Sequence, residues 1–195
     1  MISELDQAVK IREGQSINTD SLETYLRNSM QLPMAHLEVL QFPSGYSNLT
    51  YLLKFGQKEL VLRMPPKGVN IKSGHDMHRE FRILSGLHPI YSKVPKPYLF
   101  CDDERILGAP FYVMERLRGI IYRGHTPEKL LPDPKQMKSL SEAFVNTLLE
   151  IHSLNYNDAG FDDLGRPDGY AKRQIEGWTK RYINAKTDES ESLEK

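Results

Sequence analysis

From Leu37 onward the hydrophobic positions come in short runs. LEVLQF (37–42), LTYLLKF (49–55) and ELVLR (59–63) each read as a strand. PSGYSN (43–48) is a turn between the first two, and Gly56-Gln57 signals a hairpin between the second and third. Met77, Phe81, Leu84 and Leu87 then recur at helical spacing, with Ser73 placed to cap that helix and Pro89 to stop it. VPKP (94–97) is a rigid extended connector, YLFC (98–101) a short strand, DDERILGA a turn and PFYVMERL (110–117) a strong strand. The pattern predicts an α+β fold, one helix inserted into a sheet of about five antiparallel strands.

The flanks have another character. Residues 1–19 are polar and read as a leader strand or loose arm; Asp20 and Ser21 would cap a short helix with Leu22, Tyr25, Leu26 and Met30 on its apolar face. After Gly119 comes a proline-rich loop (125–135), then an amphipathic helix over 139–154 built on Leu140, Phe144, Leu148 and Ile151. A second loop (157–169) leads to a helix over 169–186, and the last nine residues are almost wholly polar. The divisions expected are an N-terminal arm and helix (1–36), a sheet-bearing lobe (37–117) and a helical segment (118–195).

Composition narrows the function. A chain of 195 residues buries roughly 70% of its unfolded surface, so it can hold a real core. Lys plus Arg and Asp plus Glu both number 26, and this balance gives no global attraction to nucleic acid or to an anionic membrane. Anion binding must come from a local arrangement. The single cysteine, Cys101, excludes an internal disulfide, no apolar run approaches the ~20 residues that span a bilayer, and MISELDQAVKIREG has no apolar signal core. The expectation is a soluble cytoplasmic protein.

Two charges break the apolar pattern. On the third strand Leu60 and Leu62 share one face, while Val61 and Arg63 share the other. On the following helix Glu80 lies between Met77 and Leu84, which puts a carboxylate on the apolar face, where it needs a partner. Arg63 is the candidate, because the helix must pack on the sheet that carries it. Alone, SGYSN is a weak signal, a strand-end arginine is usually a solvated edge charge, and a glutamate on a helix rim is usually exposed. Together and in this order, a small-residue turn, a third-strand cation and a helix glutamate reproduce the phosphate grip of protein kinases.

The ordered set SGYSNLTYLL, LVLRMPPKG, HDMHREFRIL, VPKPYLFCDD, ILGAPFYVMERLRG, LLEIHSLN and GRPDGYAKRQIEGW resembles the aminoglycoside phosphotransferase/choline kinase-like family. More narrowly it resembles the phosphotransferase-like domain found alone in bacteria and fused to acyl-CoA dehydrogenases in animals. The resemblance implies a protein kinase-like N-lobe followed by the first helices of an incomplete helical C-lobe. It also implies ATP and Mg²⁺ as cofactors of an intact member, and a small-molecule hydroxyl as acceptor, of a hydroxyacyl or other metabolite type rather than an antibiotic. Gly45, Ser47 and Asn48 would close over the ATP phosphates and Arg63 would grip them, standing where kinases usually place lysine. Glu80 would hold Arg63, Val61 would roof the base, Met114 would sit behind the adenine, and the backbone of Glu115 and Leu117 would meet its edge.

One departure stands out. Family members carry a His-Gly-Asp loop with a downstream Asn and a later metal-binding Asp, and no His-Gly-Asp occurs in these 195 residues. Asp163-Leu164-Gly165 imitates a metal-binding Asp-Phe-Gly but precedes GRPDGY, so it reads as a loop; His152 reads as a packing histidine rather than a base. The chain is thus expected to stop before the catalytic loop, with neither catalytic residues nor metal ligands of its own, and to be inactive alone. The rival expectation is a non-catalytic nucleotide- or protein-binding module of the same fold. A third is pairing, with itself or with a separate C-terminal half.

Overall fold

The computed structural model describes residues 7–43, 48–66, 76–122, 124, 126–165 and 168–186. They fall into two compact units, residues 1–155 and 156–195. The first is built on a five-stranded antiparallel sheet of β1 (Leu37–Gln41), β2 (Leu49–Phe55), β3 (Lys58–Met64), β4 (Pro97–Cys101) and β5 (Phe111–Glu115), in the order β1-β2-β3-β5-β4. The hairpin at Gly56-Gln57 joins β2 to β3, and Gly56 adopts φ +62°, a left-handed conformation open to glycine at little cost.

Strand alternation sorts the two faces. Leu49, Tyr51, Leu53 and Phe55 of β2, Leu60, Leu62 and Met64 of β3, and Phe111 and Val113 of β5 are buried in one cluster with Leu22 and Leu26 of α1 (Thr19–Ser29). This face is the dry core. α1 starts one residue before the expected caps, because the Asn18 side chain accepts from the Ser21 N–H. Glu23 and Arg27 tie the helix to the sheet: Arg27 donates to Glu23 and to the carbonyls of Pro33 and Ala35, and Glu23 accepts the Leu37 N–H.

α2 (Met77–Leu87) lies on the opposite face against β4 and β5, where Phe81 meets Phe100 and Tyr112 at ring separations of 5.8 and 6.2 Å. Asp76 caps it; the Ser73 expected for that role lies outside the described residues. DDERILGA contains a one-turn helix, α3 (Glu104–Leu107), rather than a plain turn; Asp103 caps it and Gly108 ends it at φ +85°.

The N-terminal segment is not a loose arm throughout. Val9 and Gln41 exchange backbone hydrogen bonds at 2.8 Å in each direction, so this segment covers the outer edge of β1. α4 (Pro134–His152) begins five residues before the expected helix, because Asp133 and Gln136 form a reciprocal capping box with Pro134 at the first helical position. The second unit carries α5 (Tyr170–Ala185). Among the described residues no helix is long and apolar enough to cross a membrane.

Candidate functional site

Arg63 sits near the end of β3, opposite Thr50 of β2 and Tyr112 of β5. With Leu60, Leu62 and Met64 in the dry core, alternation turns Arg63 to the α2 face. There its Nε lies 3.0 Å from Glu80 Oε2. The nitrogen is buried and no acceptor is aligned with its N–H, so the contact is a close ion pair rather than a directed hydrogen bond. The two side chains keep 36% and 31% of their surface, so water reaches the pair.

Glu80 is held by more than Arg63. Tyr112 Oη donates to Oε2 at 2.9 Å, and Asn48 Nδ2 donates to Oε1 at 3.0 Å. Burial, and then the negative charge of Glu80, push the Tyr112 phenol well above its ordinary value, which keeps it a neutral donor at physiological pH. Glu80 also stands in the first turn of α2, where the helix dipole favours an anion. With Nε turned to the carboxylate, the planar guanidinium fork of Arg63 suits a phosphate.

Of the other expected residues, Gly45 and Ser47 lie outside the described residues. Asn48 is buried, and its amide nitrogen serves Glu80 directly. Val61 is buried, sits two residues before Arg63 on the same face, and pairs with Met114, which is half-buried. The Glu115 N–H is bonded to the Lys96 carbonyl at 2.8 Å, so a ligand contact at this position would fall to its carbonyl. Leu117 lies beyond the strand end and is exposed.

Two features were missed from sequence. Tyr112 was hidden because a tyrosine in an apolar strand breaks no pattern; its hydroxyl, which needs a partner when buried, was the available signal. The second is Glu59 at the start of β3, which accepts from Arg116 Nη1 at 2.5 Å and Arg118 Nη2 at 2.6 Å. Asp163-Leu164-Gly165 does lie in a loop, in the second unit. His152 is the last residue of α4 and is exposed, which corrects its reading as a packing histidine: its side chain faces solvent at the helix end instead of entering the core. Among the described residues no group of three His, Cys, Asp or Glu side chains could hold a metal ion, so ligands for Mg²⁺ are not assigned. The Arg63 guanidinium braced by Glu80 is chemically suited to a phosphate group such as those of ATP.

Known proteins resemble this chain in sequence and in fold. Mouse acyl-CoA dehydrogenase family member 10 is 34% identical over 186 residues, 95% of this chain and 17% of that protein. Human acyl-CoA dehydrogenase family member 11 is 37% identical over 169 residues, 85% of this chain and 21% of that protein. The chain thus spans about a fifth of the length of these relatives. A Ralstonia eutropha crystal structure assigned to the aminoglycoside phosphotransferases superposes with a TM-score of 0.70 at 29% identity, covering 89% of this chain and 49% of that one. Its likeness extends to the kinase-like sheet-and-helix architecture. The sequence profile of the phosphotransferase enzyme family matches residues 38–195, from β1 through α5, and this chain belongs to that family.

Proposed function

We propose that this chain is the nucleotide-binding part of an ATP-dependent small-molecule phosphotransferase that phosphorylates a metabolite hydroxyl. The observation that carries the reading is Arg63 braced by Glu80 on the α2 face, with Asn48 and Tyr112 completing the carboxylate's donors. A guanidinium held through Nε presents its remaining nitrogens to an anion without reorganising, which is what phosphate binding in a kinase-like lobe requires. Gly45 and Ser47 join Arg63 in binding the phosphates, and Val61 with Met114 supplies an apolar surface for the base. Glu115 and Leu117 offer backbone to its edge. Mg²⁺ accompanies the nucleotide.

An acyl-type metabolite is the acceptor class that the names of the relatives favour. The site works in the cytoplasm, where ATP is plentiful. With no His-Gly-Asp in the sequence, this chain by itself binds nucleotide and does not turn it over.

A thermal-shift titration with ATP and Mg²⁺, beside Arg63→Ala, tests the proposal. At a hundred times the dissociation constant a ligand stabilises by about 2.7 kcal/mol, a shift of several degrees in a chain of this size. The wild-type melt is expected to rise and the Arg63→Ala melt to stay put. A cooperative wild-type melt that ATP leaves unmoved would overturn the reading.

A further inference from the structure

We propose that Glu59 is a positioning residue for the base side of this site, clamping the chain where it leaves β5; the inference rests on the nucleotide reading above. Alternation along β3 puts Glu59, Val61 and Arg63 on one face, in a row about 13 Å long. Its order is acid, apolar, cation: an apolar centre for a base, with the anion fork at one end. At the other end Glu59 Oε2 accepts from Arg116 at 2.5 Å and from Arg118 at 2.6 Å.

These two arginines flank Leu117. β5 ends at Glu115, whose N–H to Lys96 is a backbone bond at the strand's end. Beyond it the backbone has left the ladder, and a free segment would sample many conformations. One carboxylate holds it at two points. Glu59 and Arg116 keep only 15% and 19% of their side-chain surface, and the Arg116 guanidinium also lies 5.8 Å from the Phe42 ring centre. The inner half of the clamp is therefore well packed, while Arg118 is 73% exposed. Between them Leu117 stays open to solvent. A segment that is fixed yet uncovered is what a ligand needs from a pre-organised edge.

The test uses the full chain and two probes, ATP and inorganic tripolyphosphate, each with Mg²⁺, titrated calorimetrically into wild type, Glu59→Gln, Arg118→Gln and Arg63→Ala. Glu59→Gln is expected to weaken ATP about tenfold and to leave tripolyphosphate within about twofold, whereas Arg63→Ala weakens both. A general loosening of the lobe would reduce both probes equally in Glu59→Gln, and that result overturns the proposal, as does unchanged ATP affinity. If Glu59→Gln gives no cooperative melt, Arg118→Gln decides: its side chain is mostly in solvent, and it should lose about threefold for ATP alone. No loss there overturns the clamp. A wild type that binds neither probe overturns the nucleotide reading itself, and the clamp falls with it; a wild type that binds ATP while Glu59→Gln binds it equally removes the clamp and leaves that reading standing.

Discussion

A carboxylate on the inner face of a helix needs donors, and Glu80 draws them from three separate strands or turns. Asn48 comes from just before β2, Arg63 from β3 and Tyr112 from β5. Removing the acid leaves a cation without its counter-ion and takes away the acceptor of the Tyr112 hydroxyl and one acceptor of Asn48. Full burial would make that loss ~3–5 kcal/mol, but solvent reaches both charges here and screens part of it. Glu80→Ala is therefore expected to cost roughly 1–3 kcal/mol in urea denaturation, and Tyr112→Phe, which deletes one hydrogen bond, about 1 kcal/mol. A Glu80→Ala loss indistinguishable from zero would mean that the three donors do not converge in solution.

At the scale of elements, the N-terminal segment acts as a strap on β1, and Gln41 is its anchor. Gln41 is buried; its backbone pairs with Val9, its Oε1 accepts the Arg12 N–H at 3.0 Å, and its Nε2 donates to Gln15 Oε1 at 2.5 Å. Tyr51, buried next to it in the sheet register, donates its hydroxyl to the Gln15 carbonyl at 2.7 Å. Burial pushes that phenol from its ordinary 10.0 up to about 12. The folded state thus holds the proton more tightly than the unfolded chain. The contribution is complete below pH 10, and it is lost as pH rises from 10 through 12. Tyr25, also raised to about 12 chiefly by burial, adds to the effect in the same direction. Melting temperatures measured from pH 8 to 12 should fall above pH 10, and Tyr51→Phe should flatten part of that fall at some cost in stability below it. A wild-type melt flat across pH 10–12 would show that Tyr51 is not sealed under the strap.

What the sequence made legible follows from the same physics. Strand alternation is a local signal, so the five strands and the facing of β3 could be read directly, and Arg63 and Glu80 stood out because each interrupts an apolar pattern. The strap was legible only as one of two alternatives, a leader strand or a loose arm, since Gln15, Gln41 and Arg12 act through polar contacts that leave no periodicity. The start of α4 was hidden because Pro134 and Asp133 resemble a loop until the capping box is seen. Glu59 and its arginines are 57 and 59 residues apart, and charges at strand ends are ordinary.

Across the whole molecule, apolar surface is distributed unevenly. The sheet core is closed, with Leu60, Leu62 and Phe111 fully buried, whereas α4 exposes Leu140, Phe144, Val145 and Leu149. The C-terminal half of α4 is tied to the segment after α2 by Glu150, which accepts from Tyr91 at 3.0 Å and Lys93 at 2.5 Å, but exposed contacts of this kind contribute little. Phe144 keeps 69% of its surface, so truncating it removes little buried area. Phe144→Ala is expected to change stability by less than about 0.5 kcal/mol, the range of ordinary surface substitutions. Leu60→Ala, in the closed core, should cost ~2–5 kcal/mol. Chemical denaturation of the two variants side by side measures the contrast. A Phe144→Ala cost of several kcal/mol would mean that the α4 face is covered in solution by something the chain alone does not place there, and repeating the measurement across protein concentration would identify a second copy as the cover if the cost grew with concentration. A cost near zero at every concentration would leave α4 a helix held by its capping box and a few polar ties, with the stability of the molecule residing in the sheet and α1.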